Sequence, residues 1–88
     1  MSNQNRKASP ELRHRLAINL KKLREARGYT QMALARRSGI NHGYISKVER
    51  ELKNLTLANL EALAIALGCS EADLLWPVKQ PAARRGQP

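Results

Sequence analysis

Side chains that could bind a nucleic acid lie on one face of a predicted helix at residues 41–50. At 100° of rotation per residue, Ile45 and Val48 fall on one side of the helix, and Lys47 and Arg50 fall on the other. A lysine can donate to guanine O6 and N7, and an arginine can hold a phosphate. The spacing therefore predicts a helix whose apolar side packs inward and whose basic side binds DNA.

Several neighbouring residues could take part in the same chemistry. His42 lies in the first turn, where such helices usually reach base edges, and could donate to a purine acceptor. Gly43 costs roughly 1 kcal/mol against Ala inside a helix, so it is interpreted as permitting close approach to a base. The remaining polar candidates are the cap residue and side chains that could hold phosphates: Asn41, Tyr44, Ser46, Arg50, Lys53 and Asn54.

Each of these assignments has a plainer alternative. Lys47 and Arg50 could form a solvated helix face, and His42 could be a first-turn residue with no base contact. Tyr44 could pack against the protein instead of binding phosphate. His42 and Ser46 could mimic a base–nucleophile pair, but no orienting carboxylate or oxyanion site is evident, so an enzyme is not predicted.

The distribution of charge also favours a DNA-binding protein. The chain of 88 residues has a net charge of +9 and a pI near 10.7, which is typical of nucleic-acid-binding domains. Residues 1–53 contain 13 Lys and Arg against 4 Glu, whereas residues 54–78 contain no Lys or Arg and 3 acidic residues. We expect the basic half to face phosphate and the leucine-rich, mildly acidic half to face protein.

Other classes of protein are not indicated. Cys69 is the only cysteine and no residues have metal-ligand spacing, so neither a metal nor another cofactor is predicted. No apolar run approaches the roughly 18 residues of a membrane span, and the polar N-terminus does not resemble a signal peptide. The expected location is the cytoplasm, with no membrane partner.

The elements that would position these side chains are all helices. Each predicted helix begins at a capping residue: Ser9, Thr30, Asn41, Thr56 and Ser70. A leucine stripe at spacings of 4, 4 and 3 marks the first helix, and a turn centred on Gly39 joins the second to the third. The predicted fold is all-α with five helices. Its predicted parts are a flexible basic arm at 1–8, the DNA-binding domain at 9–76 and a flexible tail at 77–88.

These motifs together resemble the Xre-like family of Cro/lambda-repressor-type helix-turn-helix regulators. The shared pattern lies between about residues 16 and 75: Leu23-Arg24, Gly28, Thr30-Gln31, Leu34-Ala35, Gly39, Ile45-Ser46, Val48-Glu49-Arg50 and Leu63-Ala64-x-x-Leu67-Gly68. A narrower similarity joins Gly43-Tyr44-Ile45-Ser46 and Asn54-Leu55-Thr56-Leu57 to the controller proteins of restriction-modification systems.

The resemblance implies a five-helix domain that binds double-stranded DNA as a homodimer and regulates transcription. It implies that Gln31 binds phosphate, with helix filler as the alternative, and that Arg24 and Glu49 form a partly buried ion pair. The family often has Gly where this chain has Glu51, which would allow that loop a different path. Met32 and Ala33 replace the usual acidic residues after Gln31, so a capping box is not expected there.

The dimer interface is predicted in the leucine-rich, mildly acidic part of the sequence, residues 54–78. The candidate contacts are apolar residues of the last two helices: Leu67, Leu74, Leu75 and Trp76. Intrachain packing is the alternative for Leu75 and Trp76. Two other functions stay open: the antitoxin of a toxin–antitoxin pair, ranked lower because the tail is short and basic, and a nonspecific nucleic-acid binder.

Overall fold

The computed structural model describes residues 7–78, which form five α-helices and no strand. The helices are α1 (Pro10–Ala26), α2 (Gln31–Ser38), α3 (His42–Glu49), α4 (Leu57–Leu67) and α5 (Glu71–Leu75). The predicted all-α, five-helix class is confirmed. Most of the predicted arm and tail, residues 1–6 and 79–88, lies outside the described residues. Within residues 7–78, no helix has both the length and the apolarity that a membrane span requires.

The predicted helix caps are all present. In each case a side-chain oxygen accepts a hydrogen bond from a backbone N–H in the first turn, as seen at Ser9, Thr30, Asn41, Thr56 and Ser70. Ser70 and Asp73 complete a reciprocal capping box. Such caps contribute about 0.5–2 kcal/mol each, so the local sequence fixes where the five helices begin.

A single apolar core holds the helices together. Leu20, Leu34 and Ile45 are fully buried where α1, α2 and α3 meet, and Leu63 of α4 is fully buried beside them. Burial of each such side chain contributes about 1.5–3 kcal/mol. The core therefore fixes how α3 sits on the rest of the domain.

The turn between α2 and α3 depends on Gly39. Its φ of +75° is a left-handed conformation that only glycine adopts without strain. Its N–H donates to the carbonyl of Ala35 and ends α2, and buried Ile40 follows directly. The chain thereby reverses within three residues, as the sequence predicts for a helix-turn-helix.

The loop after α3 uses the same backbone conformation without a glycine. Glu51 has a φ of +65°, and its carboxylate lies 2.7 Å from His14 Nδ1 of α1. The N–H groups of Glu51 and Leu52 donate to the carbonyls of Val48 and Lys47, a closed helix end of the kind that normally contains glycine. Glu51 therefore takes the conformation that glycine would favour at this position.

Part of the predicted dimer interface is wrong. Leu67 and Leu74 are 1% and 0% exposed in the single chain, so their side chains have no surface left for a partner. Both pack in the core, because α5 folds back on α1 and Asn19 of α1 donates to the carbonyl oxygens of Leu74 and Trp76 at 3.0 and 2.7 Å. Leu75 is half-buried against the core, whereas Trp76 is exposed.

Candidate nucleic-acid interface

The outer face of α3 carries the predicted polar side chains. Ile45 and Val48 are buried, whereas Lys47 and Arg50 are exposed on the opposite side. The helical-wheel assignment of these four residues is confirmed. His42 and Gly43 in the first turn are also exposed, and Ser46 is half-buried. This face presents two cations and one imidazole to the surroundings.

A buried ion pair fixes the orientation of α3. Arg24 of α1 donates from Nε to Glu49 Oε2 at 2.7 Å and from Nη2 to Glu49 Oε1 at 3.0 Å. The two side chains are only 10% and 5% exposed. Arg24 Nη1 also donates to the carbonyl of Tyr29, so the guanidinium joins α1, α3 and the turn before α2. The hydrogen bond to Glu49 raises the pKa of Arg24 above its ordinary value.

Gln31 links the buried ion pair to the protein surface through hydrogen bonds. Its Nε2 donates to Glu49 Oε1 at 2.9 Å, and its Oε1 lies 3.2 Å from His42 Nε2. A continuous chain of hydrogen bonds thus runs from buried Arg24 through Glu49 and Gln31 to exposed His42. The phosphate contact suggested for Gln31 stays a prediction. These links could not be read from the sequence, since neither helical periodicity nor a motif reports a bond between α2 and α3.

A contact within the chain favours glycine at position 43. Its N–H donates to Asn41 Oδ1 at 2.7 Å, and an added Cβ would lie only 3.0 Å from that oxygen. Asn41 also accepts from the Tyr44 N–H at 3.3 Å, so its oxygen caps two backbone groups. A side chain at position 43 would crowd this cap. Close approach to a base remains a second, untested role for Gly43.

Tyr44 connects α3 to the loop that follows it. Its hydroxyl donates to the carbonyl of Asn54 at 2.8 Å, and Lys53 Nζ lies 5.3 Å from the centre of its ring. The ring is half-buried against the core. Tyr44 therefore packs within the chain and holds the Lys53–Asn54 loop against α3, while its phosphate contact stays a prediction.

The start of the described chain reaches the same loop, which the sequence did not predict. The Ala8 N–H donates to Asn54 Oδ1 at 3.1 Å, and Arg13 Nη1 donates to the Ala8 carbonyl at 2.9 Å. Lys7, Arg13 and Lys53 consequently line one cleft, which also contains Glu51. These cations are far apart in sequence, and no local pattern relates them. The cleft adds Lys7 and Arg13 to the basic surface beside α3.

Comparison with a family model places the fold among known proteins. Residues 20–74 match the model for the helix-turn-helix family HTH_3. The match begins within α1 and ends at Leu74 in α5, so it includes the α2–turn–α3 unit and the core that supports it.

The chain is also similar to individual regulators. It is 40% identical over 70 residues to a "Neisseria hypothetical transcription factor" from Neisseria meningitidis serogroup B, a match that covers 80% of this chain and 66% of the relative. The crystal structure of a hypothetical transcription factor, NHTF from Neisseria, superposes with a TM-score of 0.74 at 38% identity, covering 90% of this chain and 88% of that one.

A third similarity involves a protein solved with DNA. The restriction-modification controller protein C.Esp1396I, solved as a tetramer in complex with its natural 35 base-pair operator, superposes with a TM-score of 0.67 at 35% identity. This match covers 72% of this chain and 83% of that chain.

Proposed function

Because the chain belongs to the helix-turn-helix family HTH_3 and is a transcription regulator of that class, we propose that it binds operator DNA as a homodimer and reads the major groove with α3. The observation that carries this proposal is the geometry of α3. Its exposed side bears Lys47 and Arg50, and its buried side is fixed by the Arg24–Glu49 pair. A rigidly held helix with donors on its outer face suits direct readout of base edges.

The surrounding charges support phosphate binding on both flanks of α3. Exposed Arg36 of α2 lines a cleft with His42 at the start of α3, and Lys53 lines another with Lys7 and Arg13 beside the loop after α3. Contacts to phosphate fix the register of a protein on the duplex without reading its sequence. We assign these cations to positioning and assign base readout to the outer face of α3.

An exposed apolar surface on α4 and after α5 supports the homodimer. Leu57, Ile65 and Trp76 are 82%, 73% and 70% exposed. Leu57 and Ile65 lie about two turns apart on α4, and their directions differ by about 80° at 100° of rotation per residue. These residues replace Leu67 and Leu74 as candidate contacts in a two-fold interface. The DNA half-sites would then lie about one helical turn apart, roughly 34–36 Å.

Selection of bound sequences from a random duplex library tests this function. We expect a symmetric operator with two half-sites. Recovery of no preferred sequence, with similar affinity for all duplexes, would leave only the nonspecific alternative.

Two variants then separate readout from positioning. Lys47→Ala should relax the preference at one symmetric base pair, at a cost of about 1–3 kcal/mol per half-site. Arg36→Ala should weaken binding to all sequences about equally, because a phosphate contact carries no base information. Lys22→Ala, an exposed lysine on α1, controls for the loss of one charge. If Lys47→Ala leaves the base preference unchanged, Lys47 is a phosphate contact and readout rests elsewhere on α3.

A further inference from the structure

We propose that His42 presents Nδ1 to the DNA as a hydrogen-bond acceptor and therefore selects a base that carries an amino group in the major groove. The geometry points to this through the Arg24–Glu49–Gln31–His42 chain of hydrogen bonds. The inference rests on the proposed function and specifies part of its sequence preference. It replaces the sequence-based hypothesis that His42 donates to a purine acceptor.

The donor and the acceptor of each hydrogen bond in this chain follow from the buried Arg24–Glu49 pair. A carboxylate paired with a guanidinium is ionised and can only accept. Glu49 accepts two bonds from Arg24, so the group that Gln31 places 2.9 Å from Glu49 Oε1 must be its NH₂. The orientation of the Gln31 amide follows from this chemistry, independently of how its nitrogen and oxygen are assigned.

The orientation of the Gln31 amide in turn determines which ring nitrogen of His42 carries the hydrogen. Gln31 Oε1 has no proton, and it lies 3.2 Å from His42 Nε2. Two acceptors would not form this contact, so Nε2 must carry the hydrogen. A neutral imidazole has one N–H, and its second nitrogen is an acceptor. In the neutral form of the exposed His42 side chain, Nδ1 therefore carries the lone pair.

The position of His42 lets that lone pair reach a base. His42 is the first residue of α3 and is exposed, and its neighbour Gly43 has no side chain to shield the ring. In the major groove, only adenine N6 and cytosine N4 offer amino hydrogens, whereas guanine and thymine present acceptors at the corresponding edges. The expected target is an adenine or cytosine within each half-site.

The first experiment measures the tautomer in the free protein. ¹⁵N NMR of the imidazole, followed through a pH titration, reports which nitrogen carries the hydrogen in the neutral form. We expect one fixed tautomer with hydrogen on Nε2 in the wild type, and a mixture in Gln31→Ala. Hydrogen on Nδ1 in the wild type, or an unchanged tautomer ratio in Gln31→Ala, would overturn the inference.

The second experiment uses base analogues in the selected operator. Replacing the target adenine with purine removes N6, and replacing it with 7-deazaadenine removes N7; for a target cytosine, pyrimidin-2-one removes N4. Loss of the amino group should weaken binding roughly 2- to 12-fold per half-site, the range for one hydrogen bond. The 7-deaza replacement should leave affinity nearly unchanged. The same measurements with His42→Ala correct for changes in the duplex itself.

The two experiments separate the failure of this inference from failure of the proposed function. If removal of the amino group weakens binding by the wild type but not by His42→Ala, the acceptor role is supported. Equal sensitivity in both proteins, or a His42-dependent loss with 7-deazaadenine, would overturn that role while specific binding stands. If no preferred sequence is bound at all, the inference fails together with the proposed function, even where the tautomer is fixed as expected.

Discussion

The Arg24–Glu49 pair should be essential to the stability of the domain. Glu49→Ala removes the acceptor of three hydrogen bonds, two from Arg24 and one from Gln31, and leaves a guanidinium that is 10% exposed without its counter-ion. Breaking a buried pair from one side costs about 3–5 kcal/mol. In a domain of this size, where 1 kcal/mol corresponds to about 4–8 °C, the midpoint of thermal unfolding should fall by about 12–40 °C.

Urea unfolding followed by circular dichroism measures this cost directly. Arg24→Ala should be similarly destabilising, and Glu11→Ala serves as the matched control because it removes a carboxylate that is 84% exposed. The double variant Arg24→Ala/Glu49→Ala should cost less than the sum of the single variants by about 0.5–3 kcal/mol, since neither charge is then left alone. Single variants that each lose under about 1 kcal/mol, with no coupling, would refute the reasoning.

The dependence of this stabilisation on pH follows from the sign of the pKa shift. The bond to Glu49 raises the pKa of Arg24 in the folded protein. A raised pKa contributes stability that is fully present below the pKa of the unfolded state and is lost only as pH rises through the folded value. For arginine this window lies far above neutral, so Arg24 should add no pH dependence to the free energy of unfolding between about pH 6 and 9.

Three further predictions concern binding, assembly and the loop after α3. If a dimer neutralises about 6–10 phosphates, operator affinity measured by fluorescence anisotropy should fall about 10³–10⁵-fold from 50 to 200 mM salt; a flat dependence would contradict phosphate-dominated binding. Ile65→Asp should convert the proposed dimer to a folded monomer in sedimentation, and a wild type that is already monomeric at high micromolar concentration would argue against the interface. Glu51→Gly should raise the free energy of unfolding by up to about 1 kcal/mol, because relief of the left-handed backbone strain outweighs loss of the exposed pair with His14. The control is His14→Ala, which removes only that pair. A loss of stability in Glu51→Gly would show that the pair dominates.

The sequence predicts the helices well because their signals are local. Caps such as Thr30 and Asn41 and the left-handed Gly39 act on neighbouring backbone groups, so their effects can be read within a few residues. The outward face of α3 follows from helical period alone. The dimer prediction failed for Leu67 and Leu74 because apolar character does not show whether a side chain packs inside its own chain or outside it.

The parts of the site that could not be predicted all join distant segments. The bond from Gln31 to Glu49 spans 18 residues, and the bond from Ala8 to Asn54 spans 46. Both depend on how whole helices pack, which is decided by the core and not by local spacing. The resemblance to the family predicted the Arg24–Glu49 pair. It did not predict which nitrogen of His42 is the donor and which is the acceptor, the assignment proposed here from the bonds that start at this pair.

The bond between Ala8 and Asn54 has a practical consequence for how the protein is handled. It anchors the backbone just after Lys7 beside Lys53, in the cleft that flanks α3. An affinity tag or fluorescent fusion joined ahead of Lys7 would therefore emerge on the side proposed to meet DNA, where it would compete with the duplex or, if basic, strengthen nonspecific binding. A label attached beyond Val78 would instead leave the domain beside Glu11, His14 and Arg15, which line one pocket with Pro77 and Val78.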